Sequence, residues 1–135
     1  MYKFGSEEWV KALQQAINAS EGYAEAAKTW EGDFYFIVEP KAPGEKELVM
    51  YMDLWHGKCR EAFIVADRSV KKPAFVISAQ ESAWRKVIEG RLDPIQGMMT
   101  KQLKLTGDMV KIMKAVKASK ELVNCTTKVP TEFSA

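Results

Sequence analysis

Apolar residues recur at helical spacing over the first thirty positions of the chain. A first helix is predicted over Ser6–Ala19, because four apolar residues share one face at i, i+4, i+7 and i+8: Trp9, Leu13, Ala16 and Ile17. Ser6 can cap this helix, and the two glutamates after it suit the positive end of the helix dipole. A second helix is predicted to begin after Ser20 and to be stopped by Gly32.

Apolar and polar positions then alternate, which predicts strands. Four strands are expected, at residues 34–39, 48–54, 59–66 and 74–78. Phe36, Met50 and Met52 lie on the apolar faces of the first two. The stretch His56-Gly57-Lys58 is typical of a tight hairpin turn between the second and third strands.

The helical period returns in the last third of the chain. One helix is predicted to end at Gly90, and Asp93-Pro94 favours the start of a short helix, since Asp caps well and Pro suits the first helical position. A fifth strand is predicted over Gln102–Thr106. Gly107-Asp108 then opens a last helix whose apolar stripe is Met109, Ile112, Met113 and Val116.

Strands that run together between groups of helices predict an α+β fold, with five strands in a mainly antiparallel sheet covered by helices on one face. We expect one domain over residues 1–125, with its N-terminal helical part at 6–31, and a loose C-terminal tail at 126–135.

Composition and charge exclude several classes of protein. The 135 residues fit one domain, and the net charge of +2 comes from scattered basic residues, so no nucleic-acid surface is predicted. The sequence has no apolar run near the ~18 residues that span a membrane, and Glu7 and Glu8 interrupt any signal-peptide core. Cys59 and Cys125 lack metal-ligand spacing, which predicts reduced thiols in a cytoplasmic protein without a metal or cofactor.

Catalytic side chains are few. The single histidine, His56, falls in the predicted turn and is interpreted as a solvent-exposed residue. Asp53 and Cys59 are near it in sequence, but no third group orients a Cys–His pair. Glu31 and Asp33 flank a turn, where capping explains them. The sequence therefore predicts a protein that is not an enzyme.

Methionine is plentiful, with seven residues in the chain, and it gathers in the last third. A methionine stripe at helical spacing is usually core. However, methionine specifies a packed core poorly because its side chain is flexible, and binding pockets are also mainly apolar. The pattern alone leaves both interpretations open, a core and a cavity.

Three short stretches carry a resemblance to a known family. They are Asp53–Lys58, Gly90–Pro94 and the run from Met98-Met99 through Lys101–Met109. In this order and spacing, the region from Phe34 to Ala118 resembles the sterol carrier protein 2 sterol-transfer domain family. The sequence departs from the family where Lys101-Gln102 replaces a Gly-Lys pair and where Met98-Met99 replaces bulky aromatic residues.

The resemblance implies an apolar tunnel between a five-stranded sheet and its helices. It implies binding, and transfer, of a lipid such as a fatty acid, a fatty acyl-CoA or a sterol, without chemistry, by a monomer or homodimer with transient membrane contact. The C-terminal helix is the candidate lid. The tunnel lining implied by position is Phe36, Met50, Met52, Met98, Met99, Leu103, Leu105, Met109, Ile112 and Met113.

Three further interpretations stay open. A basic rim of Lys101, Lys104 or Arg91 would meet a ligand head group, or these residues are solvated surface charges. A small α+β pocket enzyme of the isomerase or dehydratase type would need a buried acid or base. A protein-interaction module would use the apolar groove, and exposure of Trp55 and Trp84 would favour it.

Overall fold

The computed structural model describes residues 1–134 as two small layers, a sheet and the helices that cover one of its faces. Its strands are β1 (Tyr2–Lys3), β2 (Glu31–Val38), β3 (Leu48–Trp55), β4 (Lys58–Val65), β5 (Phe75–Ala79), β6 (Lys104–Thr106) and β7 (Thr131–Glu132). Its helices are α1 (Glu7–Ala19), α2 (Glu21–Ala26), α3 (Glu81–Ile88), α4 (Pro94–Met99), α5 (Met109–Lys114) and α6 (Val116–Thr127).

The main sheet has five strands in the order β4-β3-β2-β5-β6. The pairs β2–β3, β3–β4 and β5–β6 are antiparallel, and β2–β5 is parallel. The predicted α+β fold with a mainly antiparallel, five-stranded sheet is therefore confirmed. The predicted hairpin turn is confirmed too: His56 and Gly57 have φ values of 49° and 80° between β3 and β4.

Residues of the sheet alternate between two faces. The inner face carries Phe34, Met50 and Met52 into the main core beneath the helices. The outer face forms a second, smaller core of five buried residues, which are Tyr35, Ile37, Val49, Tyr51 and Val65. The loop after β4 covers this core and is anchored there, because the Tyr35 hydroxyl lies 3.0 Å from the Arg68 carbonyl and accepts a hydrogen bond from the Lys71 backbone N–H at 2.7 Å.

Polar side chains cap the helices where the sequence predicts. Ser6, Ser20, Asp93 and Asp108 each accept a hydrogen bond from the backbone N–H three residues further on. These bonds satisfy donors that the first turn of a helix leaves without an intrahelical partner. They fix the starts of α1, α2, α4 and α5.

Helix α1 protects the edge strand β4. The Asn18 side chain donates to the Cys59 carbonyl at 2.9 Å and accepts from the Cys59 N–H at 2.8 Å, and Gln14 donates to the same carbonyl at 3.1 Å. These bonds pair backbone groups that an edge strand would otherwise leave open to another chain. They also hold α1 across the end of the sheet.

The second helix is shorter than predicted. It ends at Ala26, and Gly32 lies inside β2 instead of stopping a helix. A Cβ at residue 32 would lie 2.8 Å from the ring of Phe75, so glycine is required here for close packing. A glycine at this position can signal either role, and the contact with Phe75 decides between them.

The C-terminal segment also differs from the expectation of a loose tail. The last helix is divided at Ala115, and its second part, α6, continues to Thr127. Strand β7 then pairs in parallel with β1. Phe133 packs against Phe4 with ring centroids 5.3 Å apart, because the two chain ends share an apolar cluster. Ala135, the end of the predicted tail, lies outside the described residues.

Candidate functional site

An apolar cavity of about 130 Å³ lies between the inner face of the sheet and the helices. The sheet contributes residues of β2, β3 and β5, and the helical side contributes residues of all six helices. Its lining is Phe4, Trp9, Leu13, Tyr23, Trp30, Phe34, Phe36, Met50, Met52, Leu54, Ile77, Trp84, Val87, Ile88, Pro94, Met98, Leu103, Ile112, Ala115, Ala118, Ser119, Leu122, Val123 and Thr126.

Aromatic rings form the wall on the sheet side. Phe34 and Phe36 stack at 5.0 Å between centroids along β2. Trp30 stacks on Phe34 at 5.9 Å, and Trp84 meets Phe36 edge to face at 5.9 Å. Period-two alternation places both phenylalanines on the inner face, so the strand itself produces the row. The result is a wall of aromatic rings on this side of the cavity.

The polar atoms of the lining tryptophans point away from the cavity. Each indole N–H has a protein acceptor: Trp9 donates to the Thr131 hydroxyl at 2.9 Å, Trp30 to the Gly32 carbonyl at 3.0 Å, and Trp84 to the Ile37 carbonyl at 2.9 Å. Buried indole groups need such partners. The carbon faces of the rings are therefore what the cavity presents.

Two hydroxyl groups in the lining, those of Tyr23 and Thr126, also leave the cavity without charge. Burial raises the pKa of Tyr23 far above its usual range, so its side chain is neutral at ordinary pH. The Thr126 hydroxyl donates to the Val123 carbonyl at 2.6 Å. The lining thus carries no ionised side chain among the described residues. An apolar molecule or chain fits this chemistry.

Helix α6 forms most of the opposite wall. Its lining residues occur at i, i+1, i+4, i+5 and i+8, which is one helical face: Ala118, Ser119, Leu122, Val123 and Thr126. The small residues come first and the larger ones follow. Cys125 is the buried residue of α6, and Ile112 is the buried residue of α5. This wall therefore has few fully buried residues, while Ala118, Leu122 and Val123 pack partly buried against the core.

Six of the ten residues that the sequence placed at the site do line the cavity: Phe36, Met50, Met52, Met98, Leu103 and Ile112. They come from β2, β3, α4, α5 and the segment before β6. The fold therefore brings together residues that are up to about eighty positions apart in the chain. Their contact with a lipid stays a prediction.

The other four lie elsewhere. Leu105 and Met113 are half-buried against the core, and Met99 and Met109 are 66% and 45% exposed. The short helices explain this, because consecutive residues point about 100° apart around a helix. When Met98 faces the cavity, Met99 must face away. Met109 is the first residue of α5 and is exposed, although Ile112, three residues further on, is buried.

Several lining residues did not enter the sequence prediction of the site. Trp9 and Leu13 lie on the apolar face of the first predicted helix, and Trp30 falls within the range of the second, but the sequence pattern does not show what these residues contact. The residues of α6 fall beyond the predicted stripe and into the predicted tail. The signal for α6 is present, because its small and apolar residues recur at helical spacing between lysines.

The candidate catalytic groups are engaged separately from the cavity. His56 is exposed, as predicted, and its Nε2 lies 2.6 Å from Glu31 Oε2. Asp53 accepts two hydrogen bonds from Arg60, at 2.9 and 3.2 Å. Burial raises the pKa of the Cys59 thiol to about 12, which keeps it a poorly nucleophilic thiol near neutral pH. These contacts hold His56 and Cys59 to other partners, so they give no support to a Cys–His pair.

Asp33 does not cap a turn, because it accepts hydrogen bonds from the Tyr51 hydroxyl and the Ala74 N–H, both at 2.8 Å.

Of the basic residues considered for a rim, Lys104 lies 2.9 Å from Glu39 and Arg91 lies 2.5 Å from Glu89. Lys101 is exposed, with a left-handed φ of 63°. None of the three lines the cavity.

Residues 1–134 contain neither a candidate metal site nor a helix that could span a membrane. These residues contain no cluster of three or more His, Cys, Asp or Glu side chains arranged to hold a metal ion. Within the same range, every helix is too short or too polar to cross a bilayer.

Known proteins share this architecture. The model of the SCP-2 sterol transfer family matches residues 10–120. The crystal structure of sterol carrier protein 2 is 36% identical, covers 93% of this chain and 98% of its own, and superposes with a TM-score of 0.82. The solution structure of a conserved hypothetical protein from Thermus thermophilus is 34% identical, covers 96% and 91%, and gives a TM-score of 0.86.

A more distant structure shares the fold alone. Sterol carrier protein 2 from Yarrowia lipolytica, in its apo form, is 18% identical, covers 87% of this chain and 89% of its own, and gives a TM-score of 0.61. No curated protein sequence matches the chain. The fold and the cavity define an α+β domain of the lipid-binding class. The chain belongs to the SCP-2 sterol transfer family.

Proposed function

We propose that this protein binds a lipid with a long apolar chain, a fatty acid or fatty acyl-CoA, inside the cavity and transfers it without chemistry. The observation that carries the proposal is the cavity itself, whose walls are apolar side chains and the carbon faces of paired tryptophans. Each CH₂ group moved from water into such a site gains about 0.8 kcal/mol. A chain of many CH₂ groups therefore needs few polar contacts.

The size of the cavity bears on the mechanism. Sites for small molecules usually have about 300–1,000 Å³, and this cavity has about 130 Å³. A wall must therefore move to admit a long chain. The wall of α5 and α6 is the candidate, because these helices bury one residue each, Ile112 and Cys125, and elements with little buried surface open most readily.

We propose the cytoplasm as the place of action, because Cys59 and Cys125 are both free, buried thiols, as reducing compartments favour. A sterol is a less suitable ligand than an acyl chain, since the cavity is small, about 130 Å³, and one wall is the row of stacked rings of Trp30, Phe34 and Phe36. A flexible chain can follow such a space more easily than a rigid ring system.

The test is native mass spectrometry of the purified protein, followed by organic extraction and titration with a fluorescent fatty acid. Unlabelled fatty acid, acyl-CoA and sterol then compete for the site. We expect a lipid adduct, and displacement by fatty acid or acyl-CoA at lower concentration than by sterol. A protein with no adduct and no uptake of the probe would overturn the proposal.

A pair of variants in α6 makes the test specific for the cavity. Leu122→Gln puts an amide into the apolar wall, and burial of an unpaired polar group costs about 1–3 kcal/mol, so we expect uptake to weaken about 10- to 100-fold. Asn124→Gln changes an exposed residue of the same helix and is expected to leave uptake unchanged. Equal effects of the two variants would count against the cavity as the binding site.

A further inference from the structure

The segment from Met109 to Lys120, which forms α5 and the start of α6, has two opposite apolar sides. Its inner side lines the cavity with Ile112, Ala115, Ala118 and Ser119. Its outer side exposes apolar residues to solvent: Val110 and Val116 are 62% and 44% exposed, and Met109 is exposed beside them. Exposed apolar side chains concentrated in one short segment mark a surface that binds something.

The outer side is also strongly basic. The twelve residues 109–120 contain four lysines and no acidic residue, so this segment carries a net charge of +4. The other 123 residues contain 16 basic and 18 acidic residues, so their net charge is −2. Lys111 is held over the Trp30 ring at 4.9 Å. Lys114, Lys117 and Lys120 are exposed, and none forms an ion pair with a carboxylate of residues 1–134.

On α6, Val116, Lys117 and Lys120 fall at i, i+1 and i+4, and therefore share the outer face of the helix. Apolar residues that penetrate between head groups, next to lysines that meet anionic charge, are the two features of a helix that lies on a membrane surface. We propose that this outer side of α5 and α6 docks on an anionic phospholipid surface. The proposal rests on the proposed function, since a lipid carrier must collect its ligand from a bilayer.

Charge also decides against a second copy of the chain as the occupant of this surface. In a two-fold dimer the same patch meets itself. Lys114, Lys117 and Lys120 would then face the same three lysines of the second copy, without an intervening carboxylate from the segment. Repulsion of this kind disfavours self-association, whereas an anionic bilayer neutralises every one of these charges.

Docking at this surface couples the bilayer to the cavity. The residues that would contact head groups and those that line the cavity lie on opposite sides of the same two short helices. Insertion of Val110 and Val116 between lipids would draw the wall away from Phe36 and the sheet. Lipid would then pass between bilayer and cavity at the point of contact.

The test is co-sedimentation of the full chain with vesicles of phosphatidylcholine, alone or mixed with phosphatidylserine. Each lysine at an anionic surface strengthens binding about fivefold. We therefore expect binding to the mixed vesicles that weakens at high salt, and that falls about 100-fold in the triple variant Lys114→Gln/Lys117→Gln/Lys120→Gln.

The matched control is Lys46→Gln/Lys72→Gln/Lys86→Gln, which removes the same charge from exposed lysines elsewhere and is expected to retain most of the binding. Val110→Ser is expected to weaken binding without a change in charge. Equal loss in the two triple variants, or equal binding to both kinds of vesicle, would overturn the proposal, as would a dimer that dissociates in the first triple variant.

Uptake of fluorescent fatty acid from solution, without vesicles, separates this proposal from the proposed function. The first triple variant is expected to take up the probe as the unmodified chain does, because its three lysines lie outside the cavity. If the unmodified chain binds vesicles but does not take up the probe, the proposed function alone is overturned. Retained uptake with no vesicle binding would overturn the docking surface alone.

Discussion

Filling the cavity from α6 should stabilise the protein and at the same time block its ligand. Ala118 lines the cavity and is half-buried, so Ala118→Leu directs three additional carbon atoms into the open space. An enlarged side chain in a packed core does the opposite and destabilises the protein by about 1–3 kcal/mol. The sign of the change therefore distinguishes a cavity from a core.

The magnitude follows from the volume. Unfilled space in a core costs about 24 cal/mol per Å³, so a cavity of about 130 Å³ costs about 3 kcal/mol. Three buried carbons gain at most about 2.4 kcal/mol. Since the fit to the walls is imperfect, we expect the free energy of unfolding to rise by about 1–2 kcal/mol and Tm by about 3–8 °C. Uptake of the fluorescent fatty acid should fall at least about tenfold.

The assays are urea unfolding, a thermal scan and titration with the probe. Ala19→Leu, the same substitution at the exposed end of α1, is the control, and both quantities should stay nearly constant there. A fall of more than about 1 kcal/mol in the stability of Ala118→Leu would refute an open space at this wall. Increased stability with unchanged uptake would show that the lipid binds elsewhere.

Three further predictions concern the frame around the site. Lys101→Gly should raise the free energy of unfolding by about 0.5–1 kcal/mol in urea titration, because it relieves a left-handed residue at some cost in chain entropy. Gly57→Ala should cost more stability than Gly44→Ala by about 1–3 kcal/mol: both glycines have positive φ, but only at Gly57 would a Cβ meet backbone, 2.7 Å from the Ala24 carbonyl oxygen. Equal losses would contradict that contact. Because burial raises the pKa of Cys59 from 9.0 to about 12, the folded thiol keeps its proton where the unfolded one loses it, so stability is complete below pH 9 and falls by about 1 kcal/mol per unit as pH rises towards 12. Cys59→Ala should show a shallower decline in alkaline urea titrations, and an identical slope would refute this assignment.

The departure from the family pattern at Lys101 has a structural meaning that the sequence did not supply. From the sequence alone, the glycine that the family pattern has there indicates a close approach of the backbone. The structure shows instead that the position has a φ of 63°, which a glycine adopts without strain. The substitution therefore bears on local stability, and its exposed side chain lies outside the cavity lining.

Local patterns determined the elements and their faces. Each cap at Ser6, Asp93 and Asp108 depends on one side chain and a backbone N–H three residues away. These caps can therefore be predicted from the sequence without tertiary information. Alternation likewise placed Phe34 and Phe36 on one face and Tyr35 on the other, since side chains of a strand alternate whatever packs against them. The order of these elements predicted the α+β fold, and the resemblance to the family added the expectation of an apolar tunnel between the sheet and its helices.

Only the tertiary structure decided what each face meets. Periodicity could not separate Met98 in the cavity wall from Met99 in solvent, because a helix of six residues has too few turns to define a stripe. Periodicity also could not predict that β7 pairs with β1. That contact joins the two ends of the chain, where Phe4 packs against Phe133. The space itself is a property of packing: it exists where side chains from distant elements fail to meet, and no local stretch of sequence encodes a distance between walls.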